Sequence, residues 1–231
     1  MDRGSVIDMG AQQDALVQLL ADAGYRRAST KSMRPNLESL RSADQQEILR
    51  LYRTLGGVLD APRLRPGAWD CVLEGGLMVE LDEGQHFNRY RRKTLESAWA
   101  QDLPWREAYL RYCMQFESAC ALERGWGSYW TSVSTERMFG PAGPTRLLDG
   151  AGSPRWKQRA LYDAMRDIAA VGSGVRLARL AVYDVVDGTP LAAILDGKPV
   201  DQNALRAFID ERTTALPIHR AGVRRGRGAS R

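Results

Sequence analysis

The chain has 231 residues, 44 % of them hydrophobic and 26 % charged, with six tryptophans and a formal charge of +5. That size and composition predict one sizeable folded core and exclude a low-complexity or fibrous chain. No apolar run approaches the roughly 18 residues of a membrane-spanning helix, and the first residues lack the basic-then-apolar order of a secretory signal, so a cytoplasmic protein without a membrane partner is expected.

Residues 11–24 repeat apolar positions at helical spacing up to Gly24, residues 25–42 read as an irregular connector, and Ser42 opens a second helix that runs to about Leu55 before Gly56 and Gly57. After Pro66-Gly67, the runs Ala68 to Leu73 and Leu77 to Asp82 bracket Glu74-Gly75-Gly76 and predict a β-hairpin. A basic helix is expected from Asn88 to about Ala100. Another follows from Pro104 to Arg124, with Trp105, Tyr109, Tyr112 and Phe116 on roughly one face. Residues 125–154, rich in Gly, Pro, Ser and Thr, read as a long inserted loop. Pro154 then starts a helix to Ala170, Val175 to Tyr183 forms a strand, residues 190–200 form a short hairpin around Asp196-Gly197, and Asp201 caps a last helix to about Leu216.

These elements make a mixed α/β protein, a small mixed β-sheet flanked by helices. One domain is expected over residues 1–218, with its core at about 43–186 and an inserted helix and loop at about 104–154, followed by a basic tail at 219–231. From Arg220 the tail carries five arginines and no acid, which accounts for the whole positive excess. A Gly/Arg-rich stretch of this kind cannot pack. It is expected to be a disordered arm that touches phosphates non-specifically, through Arg224 and Arg225 among others, or simply a solubilising end.

Three cysteines without CxxC spacing and only two histidines, His86 and His219, argue against a structural zinc site or a disulfide framework. The acids of the hairpin point elsewhere. Strand alternation puts Met78, Glu80 and Asp82 on one face, with the two carboxylates about 7 Å apart, and Val79 and Leu81 on the other. Asp70 comes opposite if the turn is tight. Three converging carboxylates repel unless a cation lies between them, and hard Mg²⁺ takes such oxygen ligands. His86 follows just past the strand end, where Gly84 allows a sharp bend. A neutral imidazole there can take a proton from a water attacking phosphorus.

The run Val79 to His86 resembles the Glu-x-Asp-Gly-x-Gln-His segment of very-short-patch-repair-like nucleases and their homing-endonuclease relatives, within the PD-(D/E)xK superfamily. Trp69-Asp70 is similar to the hairpin aspartate of that family. The resemblance implies a restriction-endonuclease-like core and a metal-dependent DNA endonuclease that hydrolyses phosphodiester bonds with Mg²⁺ or Mn²⁺. Position by position, it implies Asp70, Glu80 and Asp82 as metal-site acids and His86 as the residue managing the attacking water, with Gln85 beside it. Arg155 to Tyr162, leading into Val175 to Leu180, resembles the family's Asp-x-x-Lys helix and following strand. Lys157 then takes the lysine's place, although Pro154 stands where the aspartate would be and Glu83 replaces a glycine. An acid from the first core helix would be Glu47, with Glu38 behind it. Arg89, Arg91, Arg92 and Lys93 would position the phosphates of DNA. The alternative is a nuclease-fold protein without the chemistry that binds nucleic acid or a protein partner, and pairing with a second copy of the chain is left open.

Overall fold

A computed structural model describes residues 9–29, 34–35, 37–38, 40–122 and 129–215. The tail, with Arg224 and Arg225, and residues 125–128 of the expected inserted loop lie outside the described residues.

Helix α1 (Met9–Asp22) turns Leu16 and Leu20 inward, and the chain leaves it through Gly24, whose φ of +86° favours glycine. Helix α2 (Ser42–Thr54) buries Ile48, Leu51 and Tyr52. The hairpin forms where expected, from β1 (Cys71–Val72) and β2 (Leu77–Asp82), and its Gly75 and Gly76 both take φ near +80°. A 3-10 turn, Gly84–His86, leads to α3 (Arg89–Leu95), capped by the Asn88 side chain, which accepts from the Tyr90 and Arg91 N–H groups. The single helix expected over 104–124 is two, α4 (Arg106–Gln115) and α5 (Glu117–Leu122), because Phe116 leaves helical geometry at ψ 7°.

The region read as a bare loop contains α6 (Val133–Phe139), started by a Ser132–Thr135 capping box. The long α7 (Pro154–Ser173) begins on the Ser153 cap and ends at left-handed Gly174, followed by β3 (Arg176–Ala181). The second hairpin lies earlier than the expected Asp196-Gly197. It is β4 (Val185–Val186) with β5 (Thr189–Pro190), turned by Asp187 at φ 47° and Gly188 at φ 74°, the left-handed pair a two-residue hairpin turn needs. The apolar run after it winds instead into α8 (Leu191–Leu195), and α9 (Gln202–Glu211) starts on the Asp201 side chain as expected.

Strand β2 is the centre of a three-stranded mixed sheet, antiparallel to β1 and parallel to β3. It is buried on both sides, as parallel pairing under helices requires. Val79 and Leu81 of β2 and Ala178 and Leu180 of β3 pack on α1, α8 and α9. Met78 with Leu177 and Ala181 packs on the other side against Phe87, Trp105, Tyr109 and Ala170, from the segments between β2 and β3. A further apolar cluster joins α2, α6 and α7. The alternation therefore leaves Glu80, Asp82 and, in register with Glu80, Arg179 on the α3/α4/α7 side. Among the described residues no helix is long and apolar enough to cross a membrane.

Candidate functional site

The hairpin register, Cys71 opposite Val79, brings Asp70 beside Glu80. The β1 ladder ends there, and side chains continue it: the Asp70 N–H donates to Glu80 Oε1 at 3.0 Å, and the Leu81 N–H donates to Asp70 Oδ2 at 3.0 Å. Glu80 is only 3 % exposed. Its nearest cations stand beyond hydrogen-bond range, with Arg179 Nη2 at 3.6 Å and Arg166 Nη1 at 3.7 Å. Burial, with Asp70 adding to it against the pull of Arg166, pushes the Glu80 carboxyl up to about 8. Burial also raises Asp70, only partly opposed by the Leu81 N–H. Among the described residues no cation hydrogen-bonds to either acid of this pair, and the two guanidiniums near Glu80 are shared with Asp82, Asp163 and Asp167.

Asp82, next on the same face, has the opposite surroundings. It is 1 % exposed, and Arg179 Nη1 meets its two oxygens at 2.6 and 2.5 Å. The Tyr109 hydroxyl donates to Oδ2 at 2.7 Å, and His86 Nδ1 lies 3.0 Å from Oδ1. Burial alone would raise Asp82; Arg179, followed by His86, holds it below the usual carboxylate range. From α7, Asp163 Oδ2 sits 2.8 Å from His86 Nδ1 and its Oδ1 sits 3.1 Å from Arg166 Nη1. Asp167 accepts from Arg179 Nε at 2.6 Å and from Arg91 Nη2 at 2.7 Å. Three carboxylates, Asp82, Asp163 and Asp167, thus meet three guanidiniums, Arg91, Arg166 and Arg179, with His86 at the end of the chain of contacts.

The ligand atoms of Asp82, His86 and Asp163 all lie within 4.8 Å of one another, close enough to consider a cation among them. The geometry favours hydrogen bonding instead. Both carboxylates already face guanidiniums, and a carboxylate at Nδ1 can only accept, so Nδ1 carries the proton. In the neutral form of the ring the lone pair is then on Nε2.

A cavity of about 430 Å³ opens over this arrangement. Asp70, Glu80, Glu83 and His86 line it together with one stretch of α7 that supplies Arg155, Gln158, Arg159, Tyr162, Asp163 and Arg166. The oxygen donors that face it, Asp70 and Glu80 first, are hard ligands short of countercharge, which fits Mg²⁺ or Mn²⁺.

The expected site residues divide. Asp70, Glu80 and His86 meet at the cavity, and Gln85, which does not line it, reaches a lining residue, its Oε1 accepting from Arg159 Nη1 at 2.7 Å. Asp82 adjoins them but does not line the cavity, and its oxygens are held by Arg179, so it supports His86 rather than serving as a free ligand. Lys157 is not brought to the site: it lies over the Tyr90 ring, 5.8 Å from the centroid, with Lys93 as its charged neighbour. Glu47 faces another groove, bound to Arg50 at 2.6 Å, and Glu38 does not line the cavity.

On α3, Arg91 is buried on Asp167, Arg89 pairs with Glu117 and Asp149, and Arg92 pairs with Glu96. Lys93 lines the groove of Glu47. From the sequence, Asp163, Arg166 and Asp167 receive no site role, Tyr109 is placed only on an aromatic helix face, and Arg179 enters only as part of the strand after the Lys157 helix. A usable signal existed in the helical spacing of Arg155, Arg159, Asp163 and Arg166, and in one arginine inside the apolar strand Leu177 to Val182, a position that calls for a buried acid.

The model of a family of unknown function, DUF7255, matches residues 50–196, more than half of the chain and the whole stretch from Asp70 to Arg179. The chain belongs to that family. No curated protein and no solved structure matches it.

Proposed function

We propose that this DUF7255 member is a divalent-metal-dependent endonuclease that hydrolyses DNA phosphodiester bonds on a restriction-endonuclease-like core. One observation carries the reading: a buried carboxylate, Glu80, and a half-buried one beside it, Asp70, neither hydrogen-bonded to a cation among the described residues, share a cavity with an imidazole whose Nδ1 is anchored by Asp163 and Asp82.

Asp70 and Glu80 would hold Mg²⁺ or Mn²⁺, which when bound supplies Lewis-acid stabilisation of the charge growing on the phosphoryl oxygens. His86 Nε2 takes the proton of the water whose oxygen attacks phosphorus. Asp163 and Asp82 keep the ring in the productive tautomer and favour the imidazolium that forms. The P–O bond in line with the attack breaks, and its oxygen leaves as an alcohol after gaining a proton. Arg166, 3.1 Å from Asp163 and on the cavity wall, is placed to meet a non-bridging phosphate oxygen.

Supercoiled plasmid tests this. Nicked or linear product is expected with Mg²⁺ or Mn²⁺, absent in EDTA and in Asp70→Asn. Intact plasmid under every metal condition overturns the hydrolase. A second reading has one observation in its favour, the approach of Arg166 and Arg179 to Glu80, where guanidiniums can take a cation's place. A nuclease-fold protein that only binds nucleic acid would then retard DNA with steep salt dependence and no cutting.

A further inference from the structure

We propose that Arg155 and Arg159 of α7 form a phosphate subsite beside the acidic pair, so that the cavity takes a polynucleotide strand rather than a lone nucleotide or a small phosphodiester. The subsite rests on the phosphodiester reading for its chemistry, but its binding can be measured without any hydrolysis.

Three arginines line the cavity, and they are not equivalent. Arg166 is engaged by Asp163 at 3.1 Å and faces Glu80 at 3.7 Å. Arg155 and Arg159 are held by neutral amides: Arg155 Nη1 donates to Gln158 Oε1 at 2.8 Å, and Arg159 Nη1 donates to Gln85 Oε1 at 2.7 Å. No ion pair reaches either one among the described residues. The amides fix the orientation of both guanidiniums without neutralising them. Burial, and then the charge of Arg159 beside it, makes the cationic form of Arg155 harder to keep. Two oriented like charges line one opening, where only the more distant Glu83 carboxylate acts on Arg159 and no acid hydrogen-bonds to either guanidinium among the described residues, and they call for an anion.

Spacing selects the kind of anion. Residues 155, 159, 163 and 166 follow one helical stripe. By the rise of an α-helix, Arg159 and Arg155 stand about 6 and 12 Å along the axis from Asp163, which holds His86. Positive charges repeated at single-turn intervals away from the reacting group suit successive phosphates of one strand. A single phosphate would leave one of them unanswered. Helix α3, the more basic in sequence, offers no equivalent row, because Arg89 and Arg91 are neutralised by Glu117, Asp149 and Asp167.

The test is fluorescence anisotropy with a labelled single-stranded oligonucleotide and the full chain in EDTA over a range of KCl. Arg155→Ala/Arg159→Ala is compared with Arg111→Ala/Arg137→Ala, which removes equal charge from exposed positions outside the cavity. The subsite variant should bind about tenfold more weakly or worse than the control pair. The slope of log affinity against log salt should become shallower by about 1.4 relative to wild type, about 0.7 per lost phosphate contact on a single strand. Unlabelled nucleoside monophosphate should fail to compete. Equal affinity of the two double variants, or displacement by the mononucleotide at oligonucleotide concentrations, overturns the subsite. Because no metal is present, wild-type cleavage with Mg²⁺ is a separate readout: loss of cleavage with the arginine effect intact removes the hydrolase and leaves the subsite standing.

Discussion

Glu80 concentrates the physics of the site in one side chain. Its carboxyl titrates near 8 in the fold against about 4.5 in the unfolded chain, so the folded state holds an extra proton between those values. The favourable share of Glu80 is therefore complete below about pH 4.5 and is lost as pH rises through about 8. Glu80→Gln, which copies the neutral form, should raise the metal-free melting temperature at pH 7 by on the order of 5 °C, with the gap to wild type closing toward pH 4.5. Adding Mg²⁺ should stabilise wild type and leave the Gln variant unmoved. Thermal unfolding across pH, with and without the ion, checks both. A wild-type profile parallel to that of the variant would remove the idea of an uncompensated acid. Asp163 acts differently, through His86 Nδ1. Asp163→Asn should lower kcat with KM nearly kept and shift the acid limb of the pH–rate profile, since the imidazolium loses its carboxylate partner. An unshifted profile would reduce Asp163 to a structural role.

The elements bring these side chains together with unequal visibility in the sequence. The Asp70–Glu80 pairing was legible because two glycines in a tight turn fix hairpin register, and one register puts both acids on the same face. The role of Asp82 was not legible: it depends on Arg179, which only the parallel pairing of β2 and β3 brings across from far along the chain. Lys157 was misplaced by a matter of helix phase. At about 100° per residue, it points away from a stripe that its neighbours Arg155, Gln158 and Arg159 occupy. Because Arg179 joins Asp82 to Asp167 inside the fold, Arg179→Met should destabilise by about 3–5 kcal/mol by taking the shared guanidinium from two buried carboxylates, leaving Asp167 to Arg91 alone and Asp82 to Tyr109 and His86, and Arg179→Lys should not restore it, since one ammonium cannot bridge both. Chemical denaturation measures this, and a loss below about 1 kcal/mol would contradict the network. At the start of α7, a side chain on Gly152 would place its Cβ 1.8 Å from the Tyr90 hydroxyl and 2.9 Å from the Leu148 carbonyl, at a φ of +56°. Gly152→Ala should therefore cost at least about 1–3 kcal/mol in the same assay, by opening the turn that seats Ser153.

At the scale of the molecule, charge is sorted rather than spread. The net +5 was readable at once, and its excess sits in a tail that lies outside the described residues. The basic helix that looked most suited to DNA is instead largely tied to acids, while Arg155 and Arg159 of α7, without an ion pair among the described residues, line the same cavity as the acidic pair. Composition reports the amount of charge, and only packing reports which charges remain available. The mixed α/β class and the hairpin follow from local patterns, but the ionic core joins four segments distant in sequence and could not be read from any window. The proposed endonuclease would hold its metal at Asp70 and Glu80 and not in the Asp82–His86–Asp163 cluster. Titration of Mn²⁺ into the full-length protein, with free ion followed by electron paramagnetic resonance, tests it directly. Binding should be present in wild type, retained in His86→Ala, and weakened at least tenfold in Asp70→Asn and in Glu80→Gln. Binding that survives both carboxylate changes but is lost in His86→Ala would place the ion in the other cluster and contradict the assignment.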